Sequence, residues 1–317
     1  MNAQVLLFNR SSSHIPMRTS LIAEFRQNLR ELLNSPTLSR VATYAILVSA
    51  YAVIPAWFHD REKLSMLAGV PSDIHAALTL VLGWLLVFRT NTSYGRWWEA
   101  RTLWGSLVNT MRNLSLKLVH LIDVPQDDLS RLRKILSVFA PVLKDHLRDG
   151  VALDDAEVLG NIKVVPQHVP SFLVSLIYSR LREWKTAGRI DGQQLIVIDE
   201  ELRKLLEIVG GCERIRNTRL ARSYRAFARQ CVFLYLTTLP WGIVESFGWW
   251  TVPITAILSY FMLGLETVAE HTEEPFGIDE DDLDLEGMCH TIDASITEIF
   301  EHGSADPSVQ PTATNQN

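Results

Sequence analysis

Residues 74–105 read IHAALTLVLGWLLVFRTNTSYGRWWEARTLWG, an apolar run that continues directly into a polar and aromatic one. The first 15 residues, 74–88, contain no Asp, Glu, Lys or Arg, whereas residues 89–101 contain four such residues. No Pro interrupts the stretch, and each internal Gly costs a helix only about 1 kcal/mol. The stretch therefore predicts one long helix that leaves an apolar medium and enters an aqueous one.

Within this stretch, Leu80, Trp84 and Phe88 are spaced four residues apart, so they share one face of the predicted helix. Large apolar residues above an Arg-rich continuation are typical of a hydrophobic constriction in a channel. They are also typical of an ordinary membrane helix with a basic inner flank. The apolar run is short for a lipid-facing helix and includes His75 and Thr79, which favours a position shielded by other helices.

Further apolar runs predict an integral membrane protein. Residues 41–58 carry no charge over 18 residues and residues 246–265 none over 20, which is long enough to cross a hydrocarbon core of about 30 Å. Only Glu245 separates the last run from the apolar residues 230–244, and a Gly-Trp-Trp break in this block predicts a hairpin of two spans. The predicted fold class is an all-α membrane protein with four transmembrane helices and a helical cytosolic domain.

The remaining segments are predicted from spacing and composition. Arg residues before the first span place the N-terminus in the cytoplasm, and four spans return the C-terminus there. We expect no cleavable signal peptide. Helices are predicted at 21–33, 89–121, 127–147, 171–187 and 191–216, a peripheral or re-entrant piece at 64–70, and a brief strand at 162–165. These predictions divide the chain into six segments. They are a cytoplasmic arm at 1–37, the first two membrane helices at 38–88, a helical cytosolic domain at 89–225, two further membrane helices at 226–270, an acidic cytosolic segment with a helix at 271–302 and a disordered tail at 303–317.

Several classes of function are not supported by the sequence. The net charge of −6 argues against a nucleic-acid partner, and no phosphate-cradle, nucleophile-elbow or metalloprotease motif is present. The three cysteines, Cys212, Cys231 and Cys289, are far apart and predict neither a disulfide framework nor a redox motif. The nine His residues show no metal-ligand spacing on a helix. We therefore predict that the chain is not an enzyme.

Three polar features have both a functional and a structural interpretation. Glu245 and Glu266 lie in or beside the last apolar block, where carboxylates indicate either a function or the edges of spans. The Arg-Trp-Trp triplet that begins at Arg96 could bind ions, but a structural role is favoured, with Arg stacked on Trp and paired to Glu99. The Gly210–Gly211 pair is expected to be a helix end.

The acidic run at 279–286 (DEDDLDLE) is the strongest candidate for cation binding, because clustered carboxylates can supply oxygen ligands. It resembles an EF-hand loop only loosely, since Glu286 and Asp293 depart from the usual residue types at the fifth and twelfth positions. A solvated acidic turn without an ion is the alternative.

Three motifs of this chain resemble the bestrophin family of pentameric ion channels, and specifically its bacterial branch. They are VFRTNTSYGRWWEARTLWG at 87–105, LPWGIVESFGWWTVPITAILSYFMLGLETVAE at 239–270 and EEPFGIDEDDLDLEGMCHTID at 273–293. The resemblance implies a homopentamer in the plasma (inner) membrane, with lipid and small inorganic ions as its other partners. Each protomer would contribute four membrane helices and a helical cytosolic domain around a central pore.

The resemblance also assigns candidate site residues. Family channels have a neck of three apolar residues on the second membrane helix, which correspond to Leu80, Trp84 and Phe88. They have a second, cytosolic constriction, for which Ile196 is the best match and Ile198 the alternative.

The same resemblance bears on calcium. In calcium-activated animal members the acidic run binds this ion, and the matching positions are Asp279 and Asp282. The chain has His271 and Glu274 where animal members use amide side chains, so a turn that contacts the neighbouring subunit without an ion is the alternative. We expect no other cofactor.

The predicted function is a channel for small ions, chloride or other monovalent anions. A channel of the same architecture that selects monovalent cations is one alternative. A non-conducting membrane scaffold is another.

Overall fold

The computed structural model describes residues 35–60, 72–148 and 166–303, and within these ranges the chain is helical and contains no strand. The described helices are α1 (Pro36–Asp60), α2 (Ser72–His120), α3 (Gln126–Leu147), α4 (Val169–Thr186), α5 (Gly192–Asn217), α6 (Arg222–Phe247), α7 (Thr251–Thr272) and α8 (Leu285–Gly303). The bounds of α2 to α5 lie within a few residues of the predicted ones, and the all-α class is confirmed.

Helix α2 runs through the whole molecule. Its 49 residues would extend about 73 Å at the standard helical rise. One face stays buried along its length through side chains at alternating spacings of three and four, among them Leu82, Leu86, Arg89, Ser93, Ala100, Trp104, Leu107, Met111 and Leu114. The prediction of one continuous helix across the apolar-to-polar boundary is confirmed.

Two separate cores lie along α2. The first, which we call the apolar bundle, is formed by α1, the first part of α2 (residues 72–88), α6 and α7, and is centred on Leu82, Leu86, Val232, Tyr235, Leu236 and Leu239. The second, the polar bundle, is formed by residues 89–120 of α2 with α3, α4, α5 and α8, around side chains such as Trp104, Leu136, Phe139, Leu173, Leu205 and Ile292. A single helix thus belongs to both bundles and joins them rigidly.

Three described segments are long and apolar enough to cross a membrane: Pro36–Asp60, Asp73–His120 and Arg222–Thr272. The last contains α6 and α7, joined by one turn of 3-10 helix at Gly248–Trp250. Gly248 has a φ of 51°, a conformation that favours glycine and reverses the chain between the two helices. The predicted break at Gly-Trp-Trp between two helices is confirmed.

The Gly210–Gly211 pair does not end a helix, contrary to expectation, because α5 continues to Asn217. A Cβ atom at Gly211 would lie 2.9 Å from Cδ1 of Leu103 on α2. The glycine is therefore explained by the close approach of α5 to α2.

Four predicted features lie outside the described residues: the helix at 21–33, the piece at 64–70, the strand at 162–165 and the tail beyond residue 303.

Candidate functional site: the uncovered face of helix α2

Leu80, Trp84 and Phe88 lie on the side of α2 that faces away from the rest of the protomer. Their exposed fractions are 65%, 63% and 58%, and the ring centroids of Trp84 and Phe88 are 5.9 Å apart. On the same face, one to four turns further along, lie the exposed and uncharged Asn91 and Thr102. We call this stripe the uncovered face of α2.

The uncovered face extends beyond the apolar bundle. It keeps its direction where the helix passes into the polar bundle, and there it carries the small polar Asn91 and Thr102 together with the exposed Trp98. A helix that leaves the membrane with one face uncovered passes from lipid to water, and a pore-lining helix passes from a dry neck to a wet vestibule. Both interpretations that the sequence left open therefore agree with the uncovered face.

A buried ion pair fixes α2 at the end of its apolar run. Arg89, which follows Phe88, is fully buried and donates to Oε1 of Glu266 on α7, itself 6% exposed. Arg229 of α6 also approaches that carboxylate, with Nε 3.6 Å from Oε1. The pair ties the helix that carries the candidate neck to α7. The sequence offered a signal for it: an Arg directly after one apolar run and a Glu inside another.

The Arg-Trp-Trp triplet has the structural role that was favoured, although by different contacts. Arg96 donates to the backbone carbonyls of Glu273 (3.1 Å), Ile215 and Thr218, which hold the ends of α7 and α5 against α2. Its predicted pairing with Glu99 is wrong, because Glu99 pairs with Arg214 of α5. The carbonyls that bind Arg96 are brought near only by the tertiary fold.

The two isoleucines considered for the cytosolic constriction have opposite environments. Ile198 is fully buried in the core of the polar bundle, so it cannot line a passage. Ile196 is 70% exposed near the start of α5, at the end of the polar bundle far from the apolar one. Of the two candidates, only Ile196 is available to a solvent path.

The acidic run forms a tight turn between α7 and α8. Oδ2 of Asp282 accepts the Asp279 N–H at 2.6 Å, and Trp97 of α2 donates to the Asp281 carbonyl at 3.0 Å. Burial raises the pKa of Asp282 to about 6; the Asp279 N–H opposes this rise and the Asp279 carboxylate adds to it. Oδ1 of Asp282 is buried without a hydrogen-bond partner. The turn is anchored to α2, and its two candidate carboxylates lie side by side.

The fold also joins side chains that sequence spacing could not associate. His146 of α3 and His168, the N-cap of α4, each place Nε2 2.7 Å from Oε1 of Glu213 on α5. Nδ1 of His168 accepts the Ser171 N–H at 3.1 Å, so its proton resides on Nε2 and that nitrogen has no lone pair for a metal. Although burial opposes it, hydrogen bonding by the two rings holds the pKa of Glu213 below its ordinary value. The group is a hydrogen-bonded link between helices.

The cysteines have no chemical role in this arrangement. Cys212, Cys231 and Cys289 are free, and burial raises the pKa of the Cys212 and Cys289 thiols to about 12. Neither of these two thiols is reactive at neutral pH.

Comparison with known proteins agrees with this geometry. A family model described as bacterial/fungal bestrophin protein matches residues 21–298. The chain belongs to the bestrophin family. This bestrophin is 35% identical over 230 residues to a voltage-dependent anion channel-forming protein of Nostoc sp., covering 70% of this chain and 75% of that protein. It is 33% identical over 280 residues to a protein of the same description from Mesorhizobium japonicum, covering 86% and 87%.

Solved structures show the same fold. The crystal structure of a bacterial bestrophin homologue from Klebsiella pneumoniae matches with a TM-score of 0.73 at 24% identity, covering 83% of this chain and 98% of that one. A mutant of that homologue matches with a TM-score of 0.71 at 25% identity, covering 82% and 97%. The family predicted from the three motifs and the all-α fold are confirmed, and the chain is a membrane protein.

Proposed function

We propose that five copies of this bestrophin assemble around an axis lined by the uncovered face of α2 and pass small monovalent anions, chloride among them, across the plasma (inner) membrane. In each copy α1, the first part of α2, α6 and α7 would span the membrane, with both termini in the cytoplasm. The observation that carries the proposal is the uncovered face itself, on which three large apolar residues, Leu80, Trp84 and Phe88, are spaced four residues apart and remain exposed. The relatives that are called anion channel-forming proteins support it.

In such an assembly Leu80, Trp84 and Phe88 would form three stacked rings. None of these side chains can replace the hydration shell of an ion, so conduction depends on water filling the neck. Closing then follows from dewetting of the neck, and opening from its widening. Arg89 and Glu266 would hold each neck-bearing segment against α7 during this change.

Selectivity for anions has a physical basis in the neck. The edges of aromatic rings carry partial positive charge, and Trp84 and Phe88 would present ten such rings to an ion in a pentamer. Asp73 near the outer mouth and the acidic turn act in the opposite direction and favour cations. An ion would lie closer to the ring edges of the proposed neck than to the carboxylates of Asp73 and the acidic turn. We therefore expect the partial positive charge of the ring edges to determine the selectivity.

Two further elements belong to the proposal. Ile196 would form a second, cytosolic constriction at the far end of the polar bundle. Asp279 and Asp282 would bind calcium if the turn is regulated by that ion. The alternative for the turn is a contact with the neighbouring subunit.

The deciding experiment is a reversal-potential measurement on the purified protein in a planar bilayer with asymmetric chloride salts. An anion channel gives a reversal potential close to the equilibrium potential of chloride. A reversal potential close to that of the cation overturns the selectivity in favour of the cation-channel alternative. A stable complex that gives no ion flux from liposomes overturns conduction and favours the scaffold.

A further inference from the structure

A cationic cavity lies at the side of the polar bundle, beside Arg96 of α2. Its volume is about 470 Å³, and it is bounded by α2, the end of α3, the end of α5 and the chain that follows α7. This volume is within the range of small-molecule sites and exceeds that needed for a single halide ion.

Four guanidinium groups line this cavity: Arg96, Arg148, Arg216 and Arg219. Among the described residues of its wall, Glu274 is the one acidic side chain, and it pairs with Arg219. The wall therefore carries an excess of three positive charges. Apolar side chains such as Leu147, Ile215 and Ile278 complete it.

Three of the four guanidinium groups are held in place by backbone carbonyls. Arg148 donates from Nε to the Phe276 carbonyl at 3.0 Å and from Nη2 to the Gly277 carbonyl at 2.9 Å. Arg216 donates to the carbonyls of His146 and Arg148, and Arg96 to the three carbonyls described above. A carbonyl orients a guanidinium without supplying a counter-charge, and the carboxylates of Glu273, Glu274 and Glu99 compensate the charge of Arg96 only in part. Each of these side chains also keeps at least two of its five N–H groups for another partner.

The nearest other carboxylate is already engaged elsewhere. Glu273 is 1% exposed, accepts the Leu220 N–H at 3.0 Å through Oε1, and has Nε of Arg225 at 3.8 Å. It does not line the cavity. A cluster of fixed, planar guanidinium groups that outnumber the carboxylates of the wall is the chemistry that binds phosphate oxygens in pairs.

We propose that this cavity binds a phosphate-bearing anion and that the bound anion joins α2, α3, α5 and the turn after α7. A phosphate group would use the free N–H groups of Arg148, Arg216 and Arg219, and its charge would relieve the repulsion among the guanidinium groups. The ligand has two sources, a soluble phosphate compound or the head group of an anionic phospholipid. Arg96 lies eight residues past Phe88, about 12 Å along the helix, whereas the head-group layer on one side of a bilayer is only about 5–8 Å thick, so the soluble source is favoured.

Binding is tested on the purified full-length channel by titrating pyrophosphate at constant ionic strength, with calorimetry and thermal unfolding as readouts. We expect saturable binding and a raised melting temperature. Glu274→Gln removes the negative charge of the wall and should tighten binding severalfold, a gain that misfolding cannot produce. Arg219→Gln should weaken it about tenfold or more, the loss expected for one charge-assisted contact.

Arg203→Gln is the matched control, because Arg203 is an exposed arginine of α5 that pairs with Glu207 outside the cavity. It should bind as the unmodified protein does. No pyrophosphate binding and no stabilisation by phosphatidic acid would overturn the proposal, as would equal affinities in all four proteins. None of these readouts uses ion flux, so the result is independent of the proposed conduction.

The two sources of the ligand, a soluble phosphate compound and a phospholipid head group, are distinguished by a further measurement. Thermal unfolding is repeated in phosphatidylcholine nanodiscs with and without phosphatidic acid. Stabilisation by phosphatidic acid that Arg219→Gln abolishes, without pyrophosphate binding, identifies a lipid head group. Pyrophosphate binding that is unchanged by phosphatidic acid identifies a soluble compound.

Discussion

Trp84 is the largest of the three side chains that we assign to the neck, and its ring leans over Phe88 with centroids 5.9 Å apart. Replacing Trp84 with Ala would remove five indoles from the middle ring of the proposed neck. The neck would then be wider and easier to wet, so we expect the single-channel conductance to rise severalfold in a planar bilayer. The measurement is made at fixed chloride concentration on both sides.

Phe233→Ala is the control for Trp84→Ala, because Phe233 is an aromatic residue of the apolar bundle that is 73% exposed but lies on α6. It should leave the conductance unchanged. If Trp84→Ala also leaves it unchanged, Trp84 does not line the path of the ion.

Asp282 leads to a prediction about pH. Its pKa is raised to about 6 from 3.8, chiefly by burial, so the folded state holds this proton more tightly than the unfolded state does. The free energy of unfolding should therefore increase as the pH falls from about 6 towards 3.8, the pKa of Asp282 in the unfolded chain, and decrease as the pH rises through the same range. Asp282→Asn should abolish this dependence. At neutral pH it should stabilise the fold by about 1 kcal/mol, after discounting for solvent screening.

The readout is the melting temperature as a function of pH, and the exposed Asp293 of α8 supplies the control Asp293→Asn. Loss of stability in Asp282→Asn at neutral pH would contradict the assignment. A calcium titration of the same proteins tests the proposed ion, because calcium that binds through Asp282 would stabilise the unmodified protein and not Asp282→Asn.

At the scale of the helices, the Arg89–Glu266 pair is the contact that secures α2 to α7. Glu266→Gln leaves a buried guanidinium without its counter-charge, and breaking a buried pair in this way costs about 3–5 kcal/mol. We expect a large drop in the melting temperature of the detergent-solubilised protein. Glu270→Gln, which breaks an exposed pair with Arg229, should cost about 1 kcal/mol or less. Equal losses in the two variants would show that the buried pair has no special role.

Helices α2 and α6 also meet at one crowded point. The ring of His75, 3% exposed, lies directly against Gly242, where a Cβ atom would overlap it. Gly242→Ala should therefore force α2 and α6 apart and destabilise the protein by about 1–3 kcal/mol, as overpacked cores do. Gly264→Ala in α7 is the control, since a Cβ there would have only Val41 at 3.8 Å. The melting temperatures of the two variants are compared by thermal unfolding. Equal values would contradict the close contact between His75 and Gly242.

At the scale of the whole molecule, the protomer leaves many large apolar side chains uncovered, which implies a further layer of contacts with lipid and with other copies. Assembly as a pentamer predicts a purified protein mass five times that of the 35.9 kDa protomer, after subtraction of detergent. Light scattering coupled to chromatography measures this directly. A monomer would contradict both the pore and the neck.

Most of the helices could be predicted from the sequence because their signals are local. Uncharged runs, the spacing of apolar residues and the Pro and Gly breaks correctly place α2 to α5 within a few residues, and the continuity of α2 follows from the absence of Pro in residues 74–105. The neck candidates could also be found from the sequence, since the spacing of Leu80, Trp84 and Phe88 places them on one face of the helix. The motifs in 87–105, 239–270 and 273–293 identified the family correctly.

Tertiary structure was needed wherever partners are distant along the chain. The sequence left Ile196 and Ile198 as alternatives, and only the packing of α5 shows that Ile198 belongs to the core. The pairing of Arg89 with Glu266 joins residues 177 positions apart, and the guanidinium groups of the cationic cavity come from three helices and the turn after α5. Helix formation depends on neighbours a few residues away, whereas ion pairs, cavities and buried pKa values depend on which surfaces meet. Sequence alone therefore determined the helices and the family, and the fold decided which charged groups act together.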